Sequence, residues 1–160
     1  MGNILSGSEV AEIGIQIEKN GRDFYNTFAK QTNNQKVQEI FKFLAQEEEK
    51  HIQVFQGLLD KTEKYEPQGL DVDNYFAYLS VLAGEHIFTQ KDKGEEAAQA
   101  IKTDKEAVEK AICFEKDSIV FYAGIRKIVP DYDQKIIEAL IAQEESHLKQ
   151  LLERKIWLKT

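Results

Sequence analysis

The chain places the same two polar groups, at the same spacing, inside two otherwise apolar helical stripes. "LAQEEEKH" (44–51) and "LIAQEESH" (140–147) superpose on their histidines, matching a leucine, two glutamates and the histidine. Leu44, Glu48, His51 and Phe55 stand at i, i+4, i+7 and i+11, which keeps all four on one helix face, and Leu140, Glu144, His147 and Leu151 repeat the run. A carboxylate left unpaired on a buried stripe costs several kcal/mol, so each must meet a cation or be neutralised. No lysine or arginine occupies the same stripe in both halves. A metal ion is the simplest partner, and at i, i+3 a glutamate oxygen and an imidazole nitrogen can share one without bending the helix.

The repeat identifies which acids matter. Glu47 aligns with Gln143, so an acid there is not needed in both halves, and Glu49 and Glu145 are expected to turn outward. Upstream, "IEKNGRDFY" (17–25) lines up with "FEKDSIVFY" (114–122), which pairs Glu18 with Glu115 and Tyr25 with Tyr122. Glu18 precedes Glu48 by 30 residues and Glu115 precedes Glu144 by 29, so the chain reads as two duplicated hairpins packed about a pseudo-two-fold axis. Gly14 and Gly21 flank Glu18 on its own face and let neighbouring side chains approach. Each tyrosine lies about two turns beyond its glutamate on the same face, where its hydroxyl could hold a carboxylate or its ring simply fill core.

Periodicity places four long helices around these residues. Val10, Ile13, Ile17, Phe24 and Phe28 mark the first, over 8–31; "TNNQ" (32–35) breaks it, and Val37, Ile40, Phe41, Leu44, Ile52, Phe55 and Leu59 mark the second. A connector, "KYEPQGLDVDN" (64–74), precedes a short extra helix over 75–90. The third long helix begins at Thr103 and runs through Val108, Ile112, Ile119, Phe121 and Ile125 toward Pro130; the fourth starts near Asp133 and carries Ile136, Ile137, Leu140, Leu148, Leu151 and Ile156. The expectation is a single all-α domain over 1–160, a four-helix bundle whose long connection lies between its second and third helices. Glu85 and His86 have no counterpart in the repeat and read as an exposed or locally satisfied pair.

Composition narrows the class. A net charge of −7 without a Lys/Arg cluster argues against nucleic acid and anionic membranes. No apolar run is long enough for a membrane helix, and there is no secretory pattern at the N-terminus; "MGNILS" matches a myristoylation pattern through Gly2 and Ser6, a short signal of low specificity. Cys113 is the only cysteine, which excludes an intrachain disulfide and suits a cytoplasmic setting; beside Phe114 it reads as a buried small hydrophobe.

A glutamate from each of two helices plus Glu-x-x-His from each of the other two is the ligand set of ferritin-like di-iron and di-manganese carboxylate proteins. The chain resembles that superfamily over essentially its whole length, and "IEKNGRDFYNTFAK", "LAQEEEKHIQVFQGLL" and "FEKDSIVFYAGIRK" are most similar to its rubrerythrin-related branch. The resemblance implies two iron ions, with manganese or another divalent metal as substitutes, held by Glu18, Glu48, His51, Glu115, Glu144 and His147. Glu48 and Glu144 would bridge, Glu18 and His51 would complete one iron, and Glu115 and His147 the other. It also implies a homodimer and reduction of hydrogen peroxide or dioxygen. Rubrerythrins carry a rubredoxin-like domain with paired Cys-x-x-Cys, for which these residues have no counterpart, so electrons are expected from a separate donor such as a rubredoxin-like protein. They also place a further glutamate one turn after the third-helix ligand, where this chain has Ser118. That departure keeps open a ferritin-like role in iron oxidation and storage, beside a non-enzymatic metal-stabilised helical module.

Overall fold

The computed structural model describes residues 7–61, 77–82, 90–127, 129 and 131–158. The long helices are α1 (Gly7–Gln31), α2 (Gln35–Leu59), α5 (Asp104–Arg126) and α6 (Asp131–Trp157); between α2 and α5 lie a helical segment at 77–82, α3, and the short α4 (Lys93–Ala100). The expected connector at 64–74, Glu85, His86 and the N-terminal hexapeptide lie outside the described residues. Among the described residues no helix is long and apolar enough to cross a membrane.

Local chemistry sets the helix ends. Asn34 caps α2, its side chain accepting from the backbone N–H of Lys36 at 3.1 Å and Val37 at 3.4 Å. Thr103 caps α5 by accepting from Glu106 N–H at 3.2 Å, while the Glu106 carboxylate reaches back to Lys102 N–H at 2.9 Å. Thr32 ties the first turn to the second hairpin: its hydroxyl donates to Asp104 Oδ1 at 2.6 Å and accepts from Asn34 N–H. α5 stops at Arg126, short of the expected limit at Pro130, with Lys127 as its cap.

The hairpin α1/α2 packs on the hairpin α5/α6, with α1 touching α5 and α2 touching α6. Phe24, Phe28 and Phe41 cluster with Tyr25 at one level, with centroid separations of 5.2 to 6.0 Å; Phe55 and Tyr122 meet at 5.0 Å. Two glycines on α1 make room for rings. A Cβ on Gly14 would meet Phe55 Cδ1 at 2.6 Å, and one on Gly21 would meet Phe114 Cζ at 2.5 Å, so the aromatic packing requires bare backbone at both places.

Three expectations are corrected. The crossover holds α4 as well as α3, and Gln90, the expected end of a helix over 75–90, is not helical. α4 docks on α1 through Asn20, which accepts from Gly94 N–H at 3.1 Å and donates to Gln90 O at 2.5 Å. Cys113 is exposed rather than buried. It stands about 200° around the helix from both Ala111 and Glu115, so its buried neighbours Ile112 and Phe114 flank a solvent-facing position. Ile156, assigned to the apolar stripe of the last helix, is 65% exposed in its final turn.

Candidate metal centre

The helix geometry brings four glutamates and two histidines into the middle of the bundle. Glu18 comes from α1, Glu48 and His51 from α2, Glu115 from α5, and Glu144 and His147 from α6; none is more than 2% exposed. They form two overlapping groups in which one donor atom per residue lies within 4.8 Å of all the others: Glu18, Glu48, His51 and Glu144, and Glu48, Glu115, Glu144 and His147. Glu48 and Glu144 belong to both. Each group could hold one cation, and the two groups overlap at these two carboxylates.

The imidazoles face inward through Nδ1. His51 Nδ1 lies 3.0 Å from Glu144 Oε1, 3.2 Å from Glu48 Oε2 and 3.4 Å from Glu18 Oε2. His147 Nδ1 lies 2.9 Å from Glu144 Oε2 and 3.7 Å from Glu115 Oε2. The two rings stack with centroids 5.6 Å apart.

Tyr25 and Tyr122 bond across the axis rather than along their own helices. Tyr25 Oη on α1 donates to Glu115 Oε1 on α5 at 2.5 Å, and Tyr122 Oη on α5 donates to Glu18 Oε1 on α1. Each tyrosine sits about 10 Å along its helix from its own glutamate. The crossed pattern therefore closes only if α1 and α5 run antiparallel, which they do as the first members of two hairpins related by the axis. The rings are also core, so the two roles weighed for them coexist.

The donor set fits metal ions on an observation independent of the pattern. One oxygen of every glutamate, Glu18 Oε2, Glu48 Oε1, Glu115 Oε2 and Glu144 Oε1, is buried without a well-formed hydrogen bond; the imidazole nearest to two of them, His51 Nδ1, is shared among three carboxylates and cannot satisfy them all. Buried carboxylate oxygens normally find donors. The tyrosines and imidazoles satisfy one side of the cluster and leave these acceptors to one another, which a divalent cation would remedy. Carboxylate and imidazole together suit iron or manganese.

Protons hold the cluster together when no cation does. Burial, then the neighbouring Glu18 and Glu144, push the Glu48 carboxyl well above its usual range; burial and Glu144 do the same to Glu115. Burial works the same way on Glu144, but hydrogen bonds from His147 and His51 outweigh it and hold this carboxyl low. Burial opposes charge on the imidazoles too. Hydrogen bonds to Glu115 and Glu144 overcome it and push His147 up to about 9, and contacts with Glu144, Glu18 and Glu48 raise His51 further. Burial first, and then the surrounding carboxylates, keep both tyrosines protonated well beyond their ordinary range.

Sequence reasoning did not single out Gln143. Its side-chain Oε1 lies 2.8 Å from His51 Nε2, on the outer side of the ring. The only signal was its alignment with Glu47, which marked the position as tolerant rather than used. Ser118 is fully buried on α5 one turn from Glu115. A cavity of about 630 Å³ at the α2 N-terminus, lined by Lys36, Arg154 and Trp157 among others, includes none of the six residues and takes no part in the centre.

No curated protein is similar enough in sequence to match this chain. A crystal structure from Thermotoga maritima, described as a ferritin-like diiron-carboxylate protein, is similar over 97% of both chains, with a TM-score of 0.70 and 28% identity. The sequence model of the rubrerythrin family matches residues 9–155, a span that holds all six buried donors and all but the outermost residues of the two hairpins, and the chain belongs to the rubrerythrin family.

Proposed function

We propose that this protein is a non-haem di-iron oxidoreductase that reduces hydrogen peroxide, or dioxygen, with electrons from a separate donor protein. The observation that carries the reading is the pair of overlapping donor groups sharing Glu48 and Glu144, in which four buried carboxylates have too few protein donors for their oxygens. Glu18, Glu48, His51, Glu115, Glu144 and His147 would hold two iron ions, which when bound supply two electrons together for cleavage of an O–O bond.

The protein's own groups define the rest. Tyr25 and Tyr122 are permanent donors, because burial and the adjacent carboxylates keep their hydroxyls protonated. They fix Glu115 and Glu18 through one oxygen each, and so aim the other oxygen inward. The surrounding layer of Phe41, Phe55, Phe114 and Phe121 excludes water and strengthens every charge interaction inside. Reduction of one peroxide consumes two electrons and two protons and yields two waters. Neither tyrosine is acidic enough to supply those protons.

A second reading is favoured by Ser118. A buried hydroxyl occupies the place where the family pattern has a further carboxylate, which leaves a ligand set closer to that of ferritin-like iron oxidation. Stopped-flow oxidation of the iron-loaded, reduced protein separates the two. A peroxidase is oxidised much faster by hydrogen peroxide than by dioxygen and cycles repeatedly with an external electron carrier. Equal rates with both oxidants, with ferric iron accumulating as ferrous iron is added, would establish iron handling instead. Ser118→Glu is expected to raise selectivity for peroxide.

A further inference from the structure

We propose that Gln143 is the positioning residue that fixes the tautomer of His51, making the two halves of the centre inequivalent. The inference rests on the metal-binding reading above and deepens it.

An imidazole binds a metal through a nitrogen bearing a lone pair, and the partner of the other nitrogen decides which one that is. His51 presents Nδ1 to three carboxylates and Nε2 to Gln143 Oε1 at 2.8 Å. With the amide oxygen facing the ring, the acceptor is Gln143 Oε1 and Nε2 carries the proton. Nδ1 is then the nitrogen that gives up its proton to a metal, on the side that faces Glu18, Glu48 and Glu144. The bond joins α6 to α2 across 92 residues of sequence, and Gln143 directly precedes the shared carboxylate Glu144. One amide therefore orients the ligand of one half from the backbone of the other.

The repeat shows that this is not a symmetric device. The residue equivalent to Gln143 is Glu47, and its Oε1 is paired with Lys50 Nζ at 2.5 Å. His147 makes a T-shaped contact with Phe43 instead, at a centroid distance of 6.1 Å. A neutral amide orients His51 without adding charge to a cluster that already holds four carboxylates. A carboxylate at 143 could orient it equally well.

Zinc(II) tests this without redox chemistry. In the full-length protein, competition with a chromophoric chelator should show two bound zinc ions. Gln143→Leu should weaken one of them about 10- to 100-fold, the range for loss of an outer hydrogen bond to a ligating histidine, and leave the other unchanged. Gln143→Glu should restore it, and Glu47→Leu should change neither. In ¹⁵N-labelled, zinc-loaded wild type, His51 should show a slowly exchanging Nε2–H resonance that Gln143→Leu loses. That measurement needs no variant to fold: a wild-type His51 protonated at Nδ1 overturns the inference. Wild-type zinc affinity in Gln143→Leu overturns it as well, while leaving the metal centre intact. A wild type that binds no zinc removes the centre and the inference together.

Discussion

Metal-free, this protein should have a fold that loses stability as the solution becomes alkaline, and the size of the loss can be worked from His147. Its imidazole is pushed up to about 9, beside Glu115 and Glu144, against an unfolded value of 6.5. A group raised on folding contributes stability that is fully present below the unfolded value and is lost as pH climbs through the folded one. The window is therefore pH 6.5 to 9, and the difference corresponds to about 3 kcal/mol. At 2% exposure the imidazole has little solvent to screen that interaction. Glu48 and Glu115 are raised too and act in the same direction from pH 4.5 upward, while Glu144, held low, matters only in acid. For a chain of this length about 3 kcal/mol lowers the melting temperature by roughly 6 to 12 °C. Circular-dichroism melts of chelator-treated protein at pH 6 and pH 9 measure it. Zinc-loaded protein should show a much flatter profile, since the ions replace the protons. A chelated form whose melting temperature stays constant or rises across that interval would mean that the carboxylates are solvated, and the buried-cluster argument would fail.

Metal analysis of purified protein should find two ions per chain, and Glu48→Ala should lose at least one, because Glu48 belongs to both donor groups; saturation of the wild type at a single ion would contradict the paired centre. Tyr122→Phe removes the donor to Glu18 Oε1 inside a sealed core and should destabilise the chelated protein by about 1 to 3 kcal/mol in urea unfolding. The same substitution should leave the metal count at two. Gly94→Ala places a methyl 1.8 Å from Asn20 O, which neither backbone can accommodate in place, so α4 must lift from α1 at a cost of about 1 to 3 kcal/mol. Faster amide exchange confined to α4 and the Asn20 region would report it, and unchanged exchange would show that the close contact is not needed.

The six buried donors were legible because their placement is a property of single helices. Glu48 with His51 and Glu144 with His147 share a face at i, i+3 whatever the tertiary structure, and the flanking leucines say which way that face points. The repeat then supplied Glu18 and Glu115. What remained hidden depended on contacts between helices. Nothing within 17–25 says that Tyr25 will bond Glu115 rather than lie idle in the core, since that requires the antiparallel crossing of α1 and α5. Gln143 was set aside because its counterpart differs, yet it bonds a histidine on another helix. α4 escaped notice for a different reason. "KGEEAAQA" is rich in good helix formers, but it buries only Gly94 and Ala98, too little apolar surface for a periodicity to register. Cys113 was misassigned by reading adjacency along the chain as adjacency in space; consecutive helical residues point about 100° apart.

The crossed tyrosines bear on why the centre is built from two hairpins at all. A single hairpin holds one Glu from its first helix and one Glu-x-x-His from its second, and its tyrosine lies about two turns along the helix from its own glutamate, out of reach. Neither hairpin can satisfy its polar groups alone: Glu18 needs Tyr122, Glu115 needs Tyr25, and His51 needs Gln143. Burying four carboxylates is unfavourable by several kcal/mol each unless they are paired, so a lone hairpin gains little from closing over them. Docking the hairpins supplies the three missing partners in one step and completes both donor groups at the same moment. Assembly of the bundle and assembly of the centre are then one event, and a metal ion that binds only the docked state stabilises the whole fold by mass action. The same coupling explains how a chain can carry unpartnered carboxylate oxygens in its core and still fold. The aromatic layers around Tyr25 and Tyr122 supply the packing that the polar centre withholds.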